Sequence, residues 1–567
     1  MFEPVYTIEN ECQDCYKCVR HCHCKAIRIV NGKASVIPEN CVACGECVKV
    51  CPSHAKKIRS DLARLKQLLD SGEVLHASVA PSFPAYFPGV SLGQLASALK
   101  KLGFAGVSET ALGAQAVSRQ TAEFLKTTDQ ALNISGACPA CVDYIRKYHP
   151  EYTKNIVPVC SPILAHCRIL KDTYGENAKV VFIGPCAAKK NEADRHPNLL
   201  ALAITFATLD SFLQERDIHL VEEAEAPLEM PAAEEGRFYP VEGGMNDTLR
   251  DSQADTRYLA ISGLQNLDRM LTYYYGSRGT RKIFLEALAC PGGCVNGPAI
   301  PPGFGGLEAV AEIDRISASG DSLQRTPVAK LEEAPKAEPL PVAEPTEEEI
   351  TQALARVGKF SREDELNCGA CGYNTCRDFA KALLENKAEE AMCHTYLRKN
   401  FERTSNALIR FIPAAVVIVD EKLNICECNR NFARMAEMMD VYDALGNLNT
   451  IPISTPLPDF SDLFASVVEN GGEIEKFNQK FKDRIVNISI FTIAKGKSAG
   501  AVIQDITKNE LQKEQIAEKA REVIQKNVYT VQQVARLFGE HVADTEILLN
   551  EIAGTYESHH GLGDQKK

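Results

Sequence analysis

Apolar residues follow three different rhythms along this chain. Between about residues 72 and 315, short apolar runs such as HASVAPSF, KVVFIGP and RYLAISG alternate with segments such as LGQLASALKKLGF and SPILAHCRILKDTYG, whose apolar positions recur at helical spacing. Alternation of that kind predicts an α/β fold, in which ligands gather on the loops after strand C-termini. From about 405 to 507 the rhythm changes. IPAAVVIVD reads as a buried strand, LNICECNRNFARMAEMM runs from a second strand into a helix, and VNISIFTI and AGAVIQDIT read as later strands. From about Asn509 to Ser558, apolar residues including Val523, Val528, Val531, Val534 and Leu537 form an imperfect stripe that predicts a long amphipathic helix, a coiled coil or a docking helix. The stretch from about 326 to 346, rich in Pro, Glu and Ala, cannot build a core and predicts a semi-extended linker.

Composition narrows the partners. The chain has 567 residues, enough for several domains, and at 45% hydrophobic it can fill packed cores. A net charge of −12 without a basic stripe argues against nucleic acid. No run approaches ~18 apolar residues and the N-terminus has neither a basic nor an apolar leader, so a cytoplasmic protein without a membrane partner is expected. In a reducing compartment, clustered cysteines bind metal or carry out redox chemistry more often than they pair. Sixteen of the 22 cysteines fall into four such groups.

Two groups open the chain. Cys12, Cys15, Cys18 and Cys22 have gaps of two, two and three residues, and Cys41, Cys44, Cys47 and Cys51 repeat them, with Pro52 following. This resembles the two-cluster bacterial ferredoxin run, in which each run's fourth cysteine ligates the other run's cluster. The resemblance implies one [4Fe–4S] set of Cys12, Cys15, Cys18 and Cys51 and another of Cys41, Cys44, Cys47 and Cys22. Zinc also takes four thiolates, but the doubled spacing favours clusters. Farther along, Cys368, Cys371 and Cys376 are followed by Cys393 across a predicted helix. They resemble a small four-cysteine [4Fe–4S] domain of anaerobic redox proteins, which would give electrons a path away from the central domain.

Three central segments carry the remaining chemistry: ISGACPAC, IGPCAAKKNEA and LEALACPGGCVNGP. With APS at Ala80 to Ser82, they resemble the signature segments of the [FeFe]-hydrogenase large subunit. That resemblance implies an H-cluster, a [4Fe–4S] cubane bridged to a di-iron subsite, with Cys138, Cys186, Cys290 and Cys294 holding the cubane and Cys294 bridging. Lys189 and Ser82 match positions that contact cyanide ligands of the subsite, and Glu192 is kept. The departures are as informative. Ala137 stands where catalytic members carry a proton-relay cysteine. Along the same proton path, Val157 replaces a serine, and Gln120 and Thr121 replace an acidic pair. Gly184 and Leu288 replace two methionines over the di-iron subsite.

The expected architecture is multidomain, α+β and α/β. It comprises a two-cluster ferredoxin-like domain (1–60), a hydrogenase-like H-cluster domain (72–315), a linker (316–350), a four-cysteine [4Fe–4S] domain (351–404), a domain resembling PAS (405–507) and an amphipathic helix with a tail (508–567). Three [4Fe–4S] clusters plus an H-cluster are implied. A cluster site with a lost relay, joined to PAS and a helical tail, resembles the sensory type of this family: it would bind dihydrogen, turn over slowly and signal to a separate phosphatase or kinase, with a homodimer expected. The alternatives are a competent hydrogenase exchanging electrons with a ferredoxin, and a Narf-like iron–sulfur assembly protein without the di-iron subsite.

Overall fold

The doubled cysteine run folds as a doubled unit. Val5–Thr7 pairs antiparallel with Lys56–Ile58, and Ile27–Val30 pairs with Lys33–Val36. The hairpin turn Asn31–Gly32 has φ of 50° and 70°, the left-handed pair that a tight two-residue turn demands. Short helices, Lys17–His21 and Glu46–Lys49, sit within the two runs. In this computed structural model, residues 3–249, 255–274, 281–303, 305–317, 331–341, 344–507, 519–528 and 530 are described. They divide into two compact units, Met1–Met392 and Cys393–Lys567.

The centre of the first unit holds two parallel sheets. One runs in the order Gly106–Glu109, Leu75–Val79, Lys179–Gly184, Leu200–Thr205; the other runs Thr256–Ser262, Lys282–Leu288, Leu132–Ile134. All five residues of Leu75–Val79 are buried, as a strand covered on both faces requires. The expected helices form at Leu92–Lys101 and Pro162–Tyr174. Ser91 and Gln94 close the first of these with reciprocal bonds of 3.0 and 3.1 Å, the capping box that satisfies two end amides.

The described part of the segment read as a linker, 331–341, is extended and laid down on this core. Leu331 is 1% exposed. Cys160 N donates to Leu331 O at 2.9 Å, Glu333 N to Pro158 O at 3.1 Å, and Glu338 N to Arg146 O at 3.0 Å. These bonds, with Leu340 N donating to Lys147 O at 3.4 Å and Arg146 reaching Lys336 O and Glu338 at 2.6 and 3.0 Å, hold a stretch whose prolines prevent it from coiling. The next helix, Glu347–Arg356, packs with Cys376–Leu384 around Ile350, Ala353, Leu354 and Ala380.

The second unit begins with the helix His394–Phe411 and continues into a five-stranded antiparallel sheet. Its order is Ile425–Cys428, Ala415–Asp420, Ser498–Asp505, Arg484–Ala494, Glu473–Phe481. The edge strand Glu473–Phe481 goes unrecognised in the sequence because it buries only Phe481 and so shows no core-facing alternation. Fully buried Asn429 gathers the entrance to the sheet. Its Nδ2 donates to Ile409 O at 3.0 Å and Ala414 O at 2.7 Å, while its Oδ1 accepts from Val416 N and Phe432 N. In the tail, residues 519–528 and 530 are helical; the rest of the predicted stripe, from Val531 onward, lies outside the described residues. No described helix is long and apolar enough to cross a membrane.

A buried ionic knot braces the first unit where the N-terminal region enters the central domain. Lys190, fully buried, donates to Asp61 Oδ2 and Ala203 O, both at 2.8 Å. Asp61 also pairs with Arg59 and Arg64 at 3.0 Å each, and Arg59 reaches Asp194 at 2.8 Å. The partners are unequal. Removing Asp61 strands a buried ammonium, whereas removing Lys190 leaves Asp61 with two guanidinium groups. Asp61→Ala should therefore cost about 3–5 kcal/mol in denaturant unfolding, Lys190→Met clearly less, and the double variant should regain stability relative to Asp61→Ala alone.

Candidate metal-cluster centre

Parallel strands deliver their cysteines to one place. Cys138 precedes the helix Pro139–Tyr148, just beyond strand Leu132–Ile134. Cys186 lies between strand Lys179–Gly184 and helix Ala188–Arg195. Cys290 follows strand Lys282–Leu288, and Cys294 opens the short turn Cys294–Asn296. Cys290 lies in the electrostatic field of Cys294, Cys186 and Cys138. Burial pushes the Cys186 thiol up to about 11 and raises Cys294 as well. Cys138 moves the other way, down to about 6, chiefly through a hydrogen bond from the Cys141 thiol. Of the four half-buried thiols, Cys186, Cys290 and Cys294 resist ionising beside one another, and bound metal reverses that by deprotonating coordinating sulfur. The donor chemistry therefore fits a thiolate-held cluster. Among the described residues no three His, Cys, Asp or Glu side chains converge on a single-ion site; a cubane spreads its ligands wider than one ion does.

The groups around this set fit a second component beside it. Ser82 is 1% exposed and its Oγ, buried, has no hydrogen-bond partner. Its loop lies against the Cys186 loop, with Ala80 N donating to Ile183 O at 2.9 Å. Lys189 is buried and donates to Ser161 Oγ at 3.0 Å and Glu192 Oε2 at 2.7 Å. Burial disfavours its ammonium, but the Glu192 carboxylate and the nearby thiols outweigh that and raise its pKa. At Gly184 a Cβ would come 2.4 Å from the Phe182 ring and 2.9 Å from Ala80 Cβ, so no methionine fits there. Ala137, Val157, Thr121 and Gln120 place no acid or thiol along the expected proton path. The Ala137 amide donates to Ser135 Oγ at 3.2 Å, and Val157 and Thr121 are buried.

The N-terminal cysteines come together in the crossed arrangement that the resemblance implies. Cys18 lies in the field of Cys12, Cys15 and Cys51, while Cys41, Cys44 and Cys47 each feel Cys22. Gly45, at φ +76°, packs so tightly that a Cβ would fall 2.3 Å from Pro298 Cβ. That close approach sets Cys44 within electrostatic reach of Cys290, so the second ferredoxin-like set adjoins the central one. In the third group, Cys368 is exposed, Cys371 half-buried and Cys376 buried, its amide donating to Asn367 Oδ1 at 2.7 Å. Cys393 is buried at the start of the second unit, 3.3 Å from Thr395 Oγ1.

Three residues escape the sequence reading. Ser161 lies outside the three signature segments, and Cys141 and Glu286 lie inside them without an assigned role. The C-x-x-C spacing of Cys138 and Cys141 was the available signal for one of them. Glu286 is 1% exposed, accepts from Gly243 N at 3.2 Å and Asn246 N at 3.0 Å, and is pushed by burial up to about 7.

Residues 73–298 match the family described as the iron only hydrogenase large subunit, C-terminal domain. Residues 34–57 match the 4Fe-4S binding domain, and residues 364–394 an Fe-S cluster family. The chain is 22% identical over 348 residues to the NADP-reducing hydrogenase subunit HndD of Solidesulfovibrio fructosivorans, covering 50% of this chain and 59% of that one. It is 26% identical over 318 residues to the periplasmic [Fe] hydrogenase large subunit of Nitratidesulfovibrio vulgaris, covering 46% and 74%. It is also 23% identical over 340 residues to the nuclear prelamin A recognition factor of Xenopus laevis, covering 47% and 74%. A solved variant of [FeFe]-hydrogenase HydA1 from Chlamydomonas reinhardtii aligns at 20% identity and a TM-score of 0.38, covering 47% of this chain and 91% of that one.

A carboxyl whose folded pKa lies above its unfolded value stabilises the fold below the unfolded value and loses that contribution as pH rises through the folded one. For Glu286 that window runs from 4.5 to about 7. Thermal stability should therefore fall across it by up to ~1.4 kcal/mol per pH unit, and Glu286→Gln should flatten the profile. The family matches, the converging thiols and the retained Lys189, Glu192 and Ser82 together make this chain an iron–sulfur, [FeFe]-hydrogenase large-subunit-like protein.

Proposed function

We propose that the chain reads dihydrogen or redox poise at an H-cluster and sends the result onward as electrons and a change in its C-terminal domain. The observation that carries this reading is the unequal survival of the site. Lys189, Glu192, Ser82 and the four cysteines are retained, whereas Ala137 and Val157 offer no group that can carry a proton, and Gln120 and Thr121 offer no acid. When bound, an H-cluster supplies the iron chemistry that splits or forms dihydrogen. Lys189 presents a buried ammonium, fixed by Glu192 and Ser161, to anionic ligands, and Ser82 supplies a hydroxyl with no competing partner. The Ala137 methyl can neither take nor give a proton, and a positioned acid or base contributes ~10²–10⁴-fold to such steps. Binding is kept and turnover is slow.

The second unit supports the receiving end. A five-stranded antiparallel sheet with its second strand on one edge and its third on the other, entered through Asn429 and Phe432, supports the PAS reading. The helix His394–Phe411 leads into it directly from Cys393. A separate phosphatase or kinase is the proposed listener, and a homodimer the proposed assembly. The rival reading is an assembly role with a cubane and no di-iron subsite.

Infrared spectra of the full-length protein, matured with its di-iron subsite, should show carbonyl and cyanide bands that change when dihydrogen is added. Bands that stay unchanged overturn the sensor reading, and failure to acquire them under maturation favours the assembly reading. Ala137→Cys should raise hydrogen evolution by roughly 10²-fold; high turnover in the unmodified protein would instead mark a metabolic enzyme.

A further inference from the structure

The third cysteine loop carries a feature that none of the cluster motifs explains: within the first unit it is clamped onto the ferredoxin-like region. Lys25 Nζ donates to Gly372 O at 2.7 Å and to Val19 O at 3.1 Å, and lies 5.6 Å above the Tyr373 ring. Arg20 bridges the same two segments, donating to Ala370 O at 3.2 Å and Cys15 O at 2.9 Å. At Gly372, φ is +93° and a Cβ would lie 2.9 Å from Val19 Cγ1 and 3.2 Å from Arg20 N. Only glycine lets the two backbones meet this closely. A second seam runs alongside. Ile29 N donates to Lys387 O at 3.0 Å, and the hairpin amides of Asn31 and Gly32 donate to the Glu389 carboxylate at 2.5 and 3.2 Å.

The cysteines on the two sides are brought into register by this contact. Both Cys22 and Cys371 act on Lys25, and both act on buried Tyr373. Burial disfavours the Lys25 ammonium while those two sulfurs favour it. A cation that gives up water to sit on carbonyls between two sulfur loops offsets negative charge on both sides, and charge and solvent exposure are among the terms that set a cluster's potential.

We propose that Lys25, Arg20 and Gly372 form a built-in latch that seats the Cys368–Cys376 loop on the ferredoxin-like segment Cys15–Lys25, so that the cluster on this loop exchanges electrons with the ferredoxin-like pair. The exchange moves one electron: the cluster that gives it up is oxidised, its neighbour is reduced, and no bond or proton changes place. With Cys44 already beside Cys290, the route from the central site to the third loop runs through the set that contains Cys22. The third cluster is then a station on the wire through the N-terminal region, where the sequence alone placed it beyond a linker and leading away from the centre.

This inference rests on the reading that Cys368, Cys371 and Cys376 hold a cluster, and the two are tested separately. Iron content of the full-length protein tests the first: Cys371→Ser should lose about one cluster's worth, and unchanged iron sinks the cluster reading. Electron paramagnetic resonance of the fully reduced protein tests the latch. The third cluster's signal should be broadened by spin coupling to a ferredoxin-like cluster. Lys25→Met and Gly372→Val should keep their iron, lose that broadening, and, for Lys25→Met, shift the third cluster's midpoint to lower potential. Lys25→Arg should retain both properties. With iron fully loaded, a wild-type spectrum equal to the sum of isolated clusters, or coupling unaltered in Gly372→Val, overturns the latch.

Discussion

The first unit is organised around bringing cysteine sulfurs together, where each opposes the ionisation of the next. The four central thiols stand at the ends of three parallel strands that belong to two different sheets, so no single element could gather them. Each is held by the strand that delivers it and the helix or turn that follows. The cost of crowding such groups appears in the raised thiols of Cys186, Cys290 and Cys294, and a thiolate-bound cluster relieves it. The same logic shapes the N-terminal region, where Cys51 lies in the field shared with Cys18, and Cys22 in that shared with Cys41, Cys44 and Cys47. The buried knot of Asp61, Lys190 and Arg59 then fixes that region to the helix that carries Lys189.

In the proposed reading the site keeps the groups that would hold a di-iron unit and lacks the relay beside it, and the two kinds of position are physically distinct. Lys189 and Ser82 would act by charge and hydrogen bonding on a group bound beside them. Ala137, Val157, Gln120 and Thr121 lie where a chain of proton carriers would have to be continuous, and one methyl group interrupts it. The replaced methionines are less simple. Position 184 has no room for a side chain because Phe182 and Ala80 fill the space, so the change there is part of a local repacking.

Much of the central domain was legible in the sequence because its strands are buried on both faces and its helices carry a clear apolar stripe. The cysteine sets were legible because cluster spacing is a local property of the chain. What spacing cannot show is where a loop comes to rest. The docking of Gly372 on Val19 links positions about 350 residues apart, and only the close approach of two backbones reveals it. Leu331 was hidden for a related reason, since one apolar residue among prolines and glutamates makes no periodic signal. Glu286 lies inside a signature segment, but spacing gives it no role; its character comes from burial and from the amides of Gly243 and Asn246. The edge strand Glu473–Phe481 shows the opposite case, a regular element with too little core contact to leave a pattern.

The helix His394–Phe411 begins at the residue after Cys393 and ends four residues before the sheet strand Ala415–Asp420. Eighteen helical residues span about 27 Å, and at the far end a single buried amide, Asn429, grips the last turn, the strand and the next helix together. There is no slack in such a joint. A rotation of the rod about its axis would have to turn the sheet or break the grip of Asn429. The joint works like a shaft with one bearing, so that a twist of the helix is felt by the strands it enters.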